Sequence, residues 1–373
     1  MMVTLITVVL IAISTYAFTQ LPQFGKQPSG KRLELIRKSS NYKDGRFQNV
    51  SPTPFLTNAG FLKTIKEFGK RTGKRTKPSV EIPTVKTDLK AINMDEDVFV
   101  WFGHSSYLLQ TNGIRFLIDP VLSNYASPIS FFGKAFKGTS IYRAEDIPSI
   151  DYLLVTHDHY DHLDYKTVTA LQDRIDTVIC PLGVGAHFEC WGFDKSKIIE
   201  KDWNETISIA NQSTLSTVTA RHFSGRTFKR NQTLWASYVL QTPDQKIFIG
   251  CDSGYDRHYA EIGKQFGSFD LAFLENGQYN QLFQHIHAFP EETIKIAQEL
   301  QAKQIMPIHS SKFSLSSHDW DEPLRRITDL ADSIGLRTLT PKIGELVYFK
   351  DTTQHFTKWW ETVGHNQLST KQK

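Results

Sequence analysis

Val155-Thr156-His157-Asp158-His159-Tyr160-Asp161-His162-Leu163-Asp164 is the stretch from which the fold can be read. On an α-helix, His157 and His159 would point about 200° apart, so they can converge on one point only if the segment is a loop. The apolar run 150–155 before it predicts a short buried strand, and residues 166–173 after it predict a helix. The stretch therefore joins a strand to a helix, where α/β sheets place their ligands.

The same stretch contains more ionisable side chains than a buried loop can hold without partners. Four of them form the pattern H-x-H-x-D-H: His157, His159, Asp161 and His162. Buried charged and polar groups are costly unless each one is paired, and a bound metal ion pairs several at once. Neutral imidazoles and carboxylates are ordinary zinc ligands. The pattern predicts a metal site.

The chain as a whole can bury a large core. It has 373 residues, of which 40% are hydrophobic and 12% aromatic. This length and composition predict one large domain or two closely joined ones, and they argue against extensive disorder. Three cysteines are too few, and odd in number, for a disulfide framework.

Residues 1–20 form an apolar N-terminal segment without charged side chains from Val3 to Phe18. Two interpretations stay open. A cleaved signal peptide would export the protein to the periplasm, but such peptides carry basic residues before the apolar run. An uncleaved membrane anchor, followed by basic residues, would keep the catalytic domain in the cytoplasm. We favour the anchor, although the run is at the short limit for a membrane span.

Residues 21–94 are expected to form a basic arm that wraps the main domain. Positions 21–90 contain 16 Lys and Arg against 5 Asp and Glu, whereas the whole chain has a net charge of only +4. An anionic membrane surface is the partner that this charge favours. Nucleic acid is not expected, since no nucleic-acid-reading motif accompanies the basic residues. The sequence does not indicate an oligomeric state.

Residues 95–350 are predicted to form the catalytic domain, and residues 351–373 a C-terminal tail. Short apolar segments at 98–102, 107–109 and 114–118 predict the first strands, with Asn112-Gly113 as a hairpin turn. Helices are predicted at 61–68 in the arm, and at 290–301 and 322–334 in the domain, each of the latter two with its own start and stop signals.

The H-x-H-x-D-H pattern resembles that of the metallo-β-lactamase superfamily, in which a His, an Asp and a final His follow on later strand ends. His222, Asp252 and His309 occur in that order, each after an apolar strand. The resemblance implies an α/β (α+β) four-layer αβ/βα sandwich of two mixed β-sheets with outer helices.

The resemblance also implies how the ligands are divided. Its seven metal ligands would be His157, His159, Asp161, His162, His222, Asp252 and His309. The first ion would be held by His157, His159 and His222, and the second by Asp161, His162 and His309, with Asp252 bridging both. The cofactor expected is a pair of Zn²⁺ ions, with Mn²⁺ or Fe as alternatives. A metal-bridging hydroxide would be the nucleophile.

Further segments resemble bacterial relatives of N-acyl-phosphatidylethanolamine-hydrolysing phospholipase D. They are 44–49 (DGRFQN), 103–106 (GHSS), 222–226 (HFSGR) and 287–292 (HAFPEE). The sequence departs from that family at Ser310-Ser311-Lys312-Phe313 and at Cys251 and Ser253, beside the ligands. These departures leave metal binding intact and place the shape of the substrate in doubt.

The resemblance and the residue chemistry together give four further candidates. Asp161, Asp252 and His287 are the predicted catalytic residues, with His287 near the substrate phosphate. Arg226, His104 and His287 are the predicted substrate-binding residues, because a guanidinium fork fits phosphate oxygens. Asp119 is expected to hydrogen-bond the metal loop.

The function implied is a zinc-dependent phosphodiesterase of the phospholipase D type that acts on a lipid or lipid-like phosphodiester. Two alternatives on the same fold remain open at this point: a lactonase or other ester or amide hydrolase, and a non-catalytic membrane-anchored metal binder. A di-iron electron-transfer protein of this fold would carry Glu where this chain has His159, which argues against that class.

Overall fold

The computed structural model describes residues 2–54 and 75–363. The helix predicted at 61–68, most of the basic run 70–77 and the last ten residues of the predicted tail lie outside the described residues. Everything below refers to the described part of the chain.

The described residues form sixteen strands and seven α-helices. The strands are β1 Tyr42–Lys43, β2 Arg46–Phe47, β3 Val98–Trp101, β4 Tyr107–Thr111, β5 Ile114–Ile118, β6 Ile150–Leu154, β7 Ile175–Pro181, β8 Ile198–Lys201, β9 Thr206–Ser208, β10 Thr214–Val218, β11 Ser237–Gln241, β12 Lys246–Ile249, β13 Leu271–Glu275, β14 Gln304–Ile308, β15 Arg337–Thr338 and β16 Leu346–Val347. The helices are α1 Met2–Thr19, α2 Gly30–Ile36, α3 Tyr165–Ala170, α4 Gly185–Cys190, α5 His258–Phe266, α6 Pro290–Glu299 and α7 Glu322–Ser333.

Two seven-stranded mixed sheets form the centre of the domain. The first has the order β16-β3-β4-β5-β6-β7-β8, and the second has the order β15-β14-β13-β12-β11-β10-β9. In the first sheet β5, β6, β7 and β8 are parallel, and in the second β12, β13, β14 and β15 are parallel. The remaining neighbours pair antiparallel. Parallel strands end at the same edge, which brings the loops that follow them together.

The inner faces of the two sheets pack against each other through large aromatic side chains. The ring of Phe273 on β13 stacks on Tyr107 of β4 with centroids 4.1 Å apart. It also meets Phe99 of β3 edge to face at 5.1 Å. All three side chains are buried. Burial of such rings contributes on the order of 2–3 kcal/mol each, so this layer fixes how the sheets face each other.

The outer faces of the sheets are covered by helices. Val168 of α3 and Phe188 of α4 pack on the first sheet. Ile262 of α5, Ile296 of α6 and Ile327 of α7 pack on the second. Helix, sheet, sheet and helix therefore form four layers, which confirms the predicted αβ/βα sandwich.

The N-terminal apolar segment forms α1, which lies largely exposed. Leu5, Ile6, Val8, Leu10 and Ile11 are each more than half exposed. Among the helices of residues 2–54 and 75–363, none is both long and apolar enough to cross a bilayer.

The described parts of the arm that follows α1, residues 21–54 and 75–94, contact the domain at several points. Arg32 of α2 forms ion pairs with Glu189 and Glu200 at 2.8 and 2.5 Å. The side-chain amide of Asn49 donates to the His222 carbonyl at 2.7 Å. Further along, Arg75 pairs with Asp321 at 3.0 Å. The arm thus reaches both the first sheet and the loop that carries a predicted ligand.

The predicted boundary of the catalytic domain at residue 350 is too early. Trp359 and Trp360 are buried, with 2% and 1% exposure, and both belong to the core between the sheets. Val363 packs there as well. The chain therefore continues into the core as far as Val363, and the polar stretch from residue 366 lies outside the described residues.

Candidate metal centre

The metal loop lies between β6 and α3, at the edge where the parallel strands end. Its backbone turns back on itself, since the amides of His162 and Leu163 both donate to the carbonyl of His159, at 3.1 and 2.8 Å. This turn brings side chains from both halves of the loop to one side. His222 follows β10, Asp252 follows β12 and His309 follows β14. All seven predicted ligands meet at this edge.

Three imidazoles form the first donor group. Nε2 of His157 lies 2.9 Å from Nδ1 of His159, and Nε2 of His222 lies 3.2 Å from the same atom. These are the three histidines expected to hold one ion. Three nitrogens at such distances surround a point that a single cation can occupy.

A second donor group contains Asp161, His162 and His309, as expected, and also His104. His104 is fully buried, and its Nε2 lies 2.9 Å from Oδ2 of Asp161. His104 was predicted to bind substrate; the structure shows its buried ring tilted by 41° against that of His309, with ring centroids 4.1 Å apart. Its position allows it to hold Asp161 in place or to act as a further donor.

Asp252 lies between the two groups. Its Oδ2 is 3.0 Å from Nε2 of His162, and its Oδ1 is 3.0 Å from Nδ1 of His309. The same carboxylate is 3.8 Å from Nε2 of both His157 and His222. A carboxylate that reaches both groups can bridge two cations, as the resemblance implied.

The chemistry of the donors fits a metal ion. Burial lowers the pKa of His159 to about 4, and it lowers the pKa values of His157 and His222 well below the ordinary value. These imidazoles are therefore neutral near pH 7, the form that binds metals. Nε2 of His159 is buried without a hydrogen-bond partner among residues 2–54 and 75–363.

Neighbouring groups hold the rings in place. Asp119, expected to bond the metal loop, accepts from Nδ1 of His162 at 2.8 Å and from the amide and hydroxyl of Thr156 at 2.8 and 2.6 Å. Nδ1 of His222 faces the carbonyl of Ile286 at 3.0 Å. Such bonds fix which ring nitrogen faces the centre.

Arg226 makes hydrogen bonds to three backbone carbonyls. Its Nη1 donates to the carbonyls of Asp158 and Leu163 at 2.8 and 2.7 Å, while Nε and Nη2 donate to the carbonyl of Gln23 at 3.1 and 2.7 Å. The side chain is buried and stacks over Tyr160, so most of its donors are occupied. Arg226 also borders the larger cavity, so its predicted contact with a substrate phosphate stays a prediction. It ties the metal loop to the N-terminal arm.

His287 does line the centre. Its side chain is 14% exposed, and its ring lies 5.2 Å from the ring of His222 and 5.3 Å from that of His309. The ring thus lies beside two of the predicted ligands, and its predicted contact with the substrate phosphate stays a prediction.

Two charged residues that the sequence analysis did not select as site residues adjoin the centre. Glu275 ends β13 and contacts His287, and Asp158 joins the metal loop to His187 and to the amide of Gly225. Each had a signal. Glu275 is the only charge in the apolar strand Leu271–Glu275, and Asp158 lies inside the metal motif itself.

The donors open into two cavities that meet at His159, Asp161 and Phe223. The smaller, about 150 Å³, is lined by the donors, His287 and Phe283. The larger, about 460 Å³, is lined by the end of α1, including Phe18, and by Phe24 and Phe228. The donor chamber thus adjoins a larger groove, and the walls of both are mainly apolar.

The fold and this centre place the chain in a known class. Residues 114–310 match the family model described as the beta-lactamase superfamily domain. The chain belongs to this superfamily and is a metal-dependent hydrolase with the metallo-β-lactamase fold.

Particular relatives agree with that assignment. An uncharacterized protein from Mycobacterium tuberculosis is 34% identical over 334 residues, covering 87% of this chain and 88% of its own. N-acyl-phosphatidylethanolamine-hydrolyzing phospholipase D 1 from Caenorhabditis elegans is 27% identical over 62% of this chain and 69% of its own. The solved structure of Igni18, a metallo hydrolase from Ignicoccus hospitalis, has a TM-score of 0.52 at 17% identity, over 67% of this chain and 97% of that one.

Proposed function

We propose that this hydrolase is a phosphodiesterase of the phospholipase D type that acts on N-acyl-phosphatidylethanolamine-like lipids. The proposal rests on one observation: the chamber that contains the donors adjoins the groove lined by Phe18, Phe24 and Phe228. A diester with a charged phosphate and long acyl chains has the two parts that this pair of cavities fits. The similarity to N-acyl-phosphatidylethanolamine-hydrolyzing phospholipase D 1 from Caenorhabditis elegans supports the same substrate class.

The proposed cofactor is a pair of Zn²⁺ ions. His157, His159 and His222 would hold one, Asp161, His162 and His309 the other, and Asp252 would contact both. Bound zinc supplies Lewis acidity and a water molecule that is acidic enough to react near neutral pH. Overall, water adds to phosphorus, the P–O bond to the N-acylethanolamine breaks, and a proton goes to the leaving oxygen.

His287 is the proposed contact to the substrate phosphate. Its ring borders the same chamber as Asp161 and His309, with the arrangement expected of a group that meets an oxygen of a diester held at the donors. An imidazole there can donate a hydrogen bond to a phosphate oxygen or protonate the leaving oxygen.

The proposed partner is an anionic membrane surface. Phe228 lines the groove and is 84% exposed, and Phe131 and Phe132, which follow the groove residue Pro128 in the chain, are 68% and 58% exposed. Lys229 and Arg230 follow Phe228 and are exposed as well. Exposed apolar patches of this kind are typical of interaction sites, and basic residues beside them favour anionic lipids.

The exposed apolar side chains of α1 extend this surface, since Thr15 and Phe18 line the groove. We propose that the protein associates peripherally with the cytoplasmic face of a membrane through this surface. A C-terminal reporter enzyme that is active only in the periplasm would contradict the cytoplasmic assignment.

The substrate class is tested with vesicles that contain N-acyl-phosphatidylethanolamine, with products identified by mass spectrometry, alongside a panel of lactones. Zinc-loaded protein is expected to release phosphatidic acid and N-acylethanolamine. The His159→Ala variant should lose at least 100-fold of this activity, because one metal ligand is missing. The His355→Ala variant, which alters an exposed histidine far along the chain, is the matched control. Hydrolysis of lactones without any cleavage of the diester would overturn the proposal.

A further inference from the structure

Glu275 and His287 form a buried pair at the wall of the donor chamber. Oε1 of Glu275 lies 2.5 Å from Nδ1 of His287. Glu275 is only 4% exposed. A buried carboxyl group needs hydrogen bonds to compensate for the loss of water. Glu275 has a second one, because its Oε2 accepts from the backbone amide of Ser253.

Glu275 lies on a strand, whereas His287 lies on a loop. Glu275 is the last residue of β13, which lies between β12 and β14 in the second sheet. Its carbonyl also accepts from the hydroxyl of Thr293 in α6 at 3.0 Å. His287 belongs to the loop before α6, where an imidazole without a partner could rotate. The Glu275 carboxyl group therefore holds the His287 ring, which lies on a loop, in a fixed position relative to β13.

The hydrogen bond between Glu275 and His287 determines which ring nitrogen of His287 can contact a substrate. Since Nδ1 of His287 is engaged by Glu275, Nε2 is the ring atom left for the chamber. The ring also stacks nearly parallel to that of His309, at an interplanar angle of 17°. Its orientation is thus held from two sides.

We propose that Glu275 is a positioning residue that fixes the His287 ring with Nε2 toward the phosphate of the substrate. The identity of that substrate rests on the function proposed above, whereas the orientation of the ring does not. The role differs from that of Asp119, which orients a metal ligand, because His287 is not one of the seven predicted ligands.

Activity tests the proposal through a double-mutant cycle of Glu275→Ala and His287→Ala in the zinc-loaded enzyme. Each single variant is expected to lower kcat about 10- to 100-fold with little change in KM. In the His287→Ala background, Glu275→Ala should change kcat less than about 2-fold, since the ring that it positions is gone. Glu275→Gln keeps a hydrogen-bonding group and should restore part of the activity lost in Glu275→Ala. Glu299→Gln, which alters another carboxylate beside α6, is the control.

Two further readouts separate positioning from other roles. Metal content should stay equal to that of the wild type in Glu275→Ala, and its loss would show that Glu275 is a ligand and overturn the proposal. Additive effects in the cycle would overturn it too. Nitrogen NMR of the His287 ring should show a defined Nδ1 environment in the wild type that changes in Glu275→Ala, and an unchanged ring signal would contradict the proposal. The NMR result stands even if no phosphodiester is cleaved, so failure of the proposed function is distinguishable.

Discussion

Oδ2 of Asp119 lies 2.8 Å from Nδ1 of His162, and this bond turns Nε2 of the same ring toward Asp252. Asp119 is itself held by two bonds from Thr156, directly before the metal loop. One carboxylate at the end of β5 therefore sets both the start of the loop and the direction of a ligand. Partners of this kind orient ligands without touching the ion.

Asp119→Ala is expected to weaken metal binding about 10- to 100-fold, because His162 loses the bond that orients it. Metal titration followed by calorimetry measures this change. Asp173→Ala, at an exposed position after α3, is the control and should bind as the wild type does. Unchanged affinity in Asp119→Ala would mean that the loop alone orients the ligand.

Arg226→Ala is expected to destabilise the fold by about 2–4 kcal/mol, since it removes the donors to two buried carbonyls and one half-buried carbonyl. Urea unfolding of the metal-free protein measures the loss. Arg230→Ala, at an exposed arginine nearby, should change stability by less than about 0.5 kcal/mol. Normal stability of Arg226→Ala combined with a raised KM would instead support the predicted substrate role.

Phe228→Ser is expected to weaken binding to anionic vesicles several-fold, because the most exposed phenylalanine at the groove mouth is lost. Sedimentation with vesicles of phosphatidylserine and phosphatidylcholine measures the bound fraction. Ile334→Ser changes another exposed apolar side chain, at the end of α7, and should bind normally. Equal weakening in both variants would show that apolar exposure in general, rather than this surface, determines binding.

His258 makes a contribution to stability that depends on pH. Burial lowers its pKa to about 4 in the folded protein, while the pKa of a histidine in the unfolded chain is about 6.5. The unfolded state therefore binds more protons between these values, and the stability present above about pH 6.5 is lost as the pH falls toward 4.

His258→Gln is accordingly expected to reduce the loss of stability between about pH 7 and pH 5 by about 1–2 kcal/mol. Chemical unfolding at the two pH values, in the wild type and the variant, measures the difference. His355→Gln, at an exposed histidine, should leave the pH dependence unchanged. A variant with the full acid sensitivity of the wild type would show that other groups cause it.

Local patterns in the sequence predicted much of the fold. The Asn112-Gly113 turn has φ values of 53° and 67°, as a tight hairpin requires. The helices at 290–301 and 322–334 were found within one or two residues, because Pro and Glu near their starts are strong signals. The short helix α4 and the short edge strand β9 lack such signals and were not predicted.

The centre was predictable where side chains follow strand ends in a recognisable order, as His222, Asp252 and His309 do. The contacts that His104 and Arg226 make could not be predicted from the sequence. Whether an arginine faces a cavity or the backbone carbonyls of another loop depends on how distant segments pack, and Gln23 lies about 200 positions from its partner Arg226. The same applies to Trp359 and Trp360, whose burial depends on contacts with the core between the sheets.

The number and position of bound ions test the account most directly. Crystals grown with zinc and measured at its absorption edge should show two anomalous peaks. One should lie among His157, His159 and His222, and the other beside His162 and His309, with Asp252 in contact with both. A single peak, or peaks away from these residues, would contradict the two-metal centre on which the proposed hydrolysis depends.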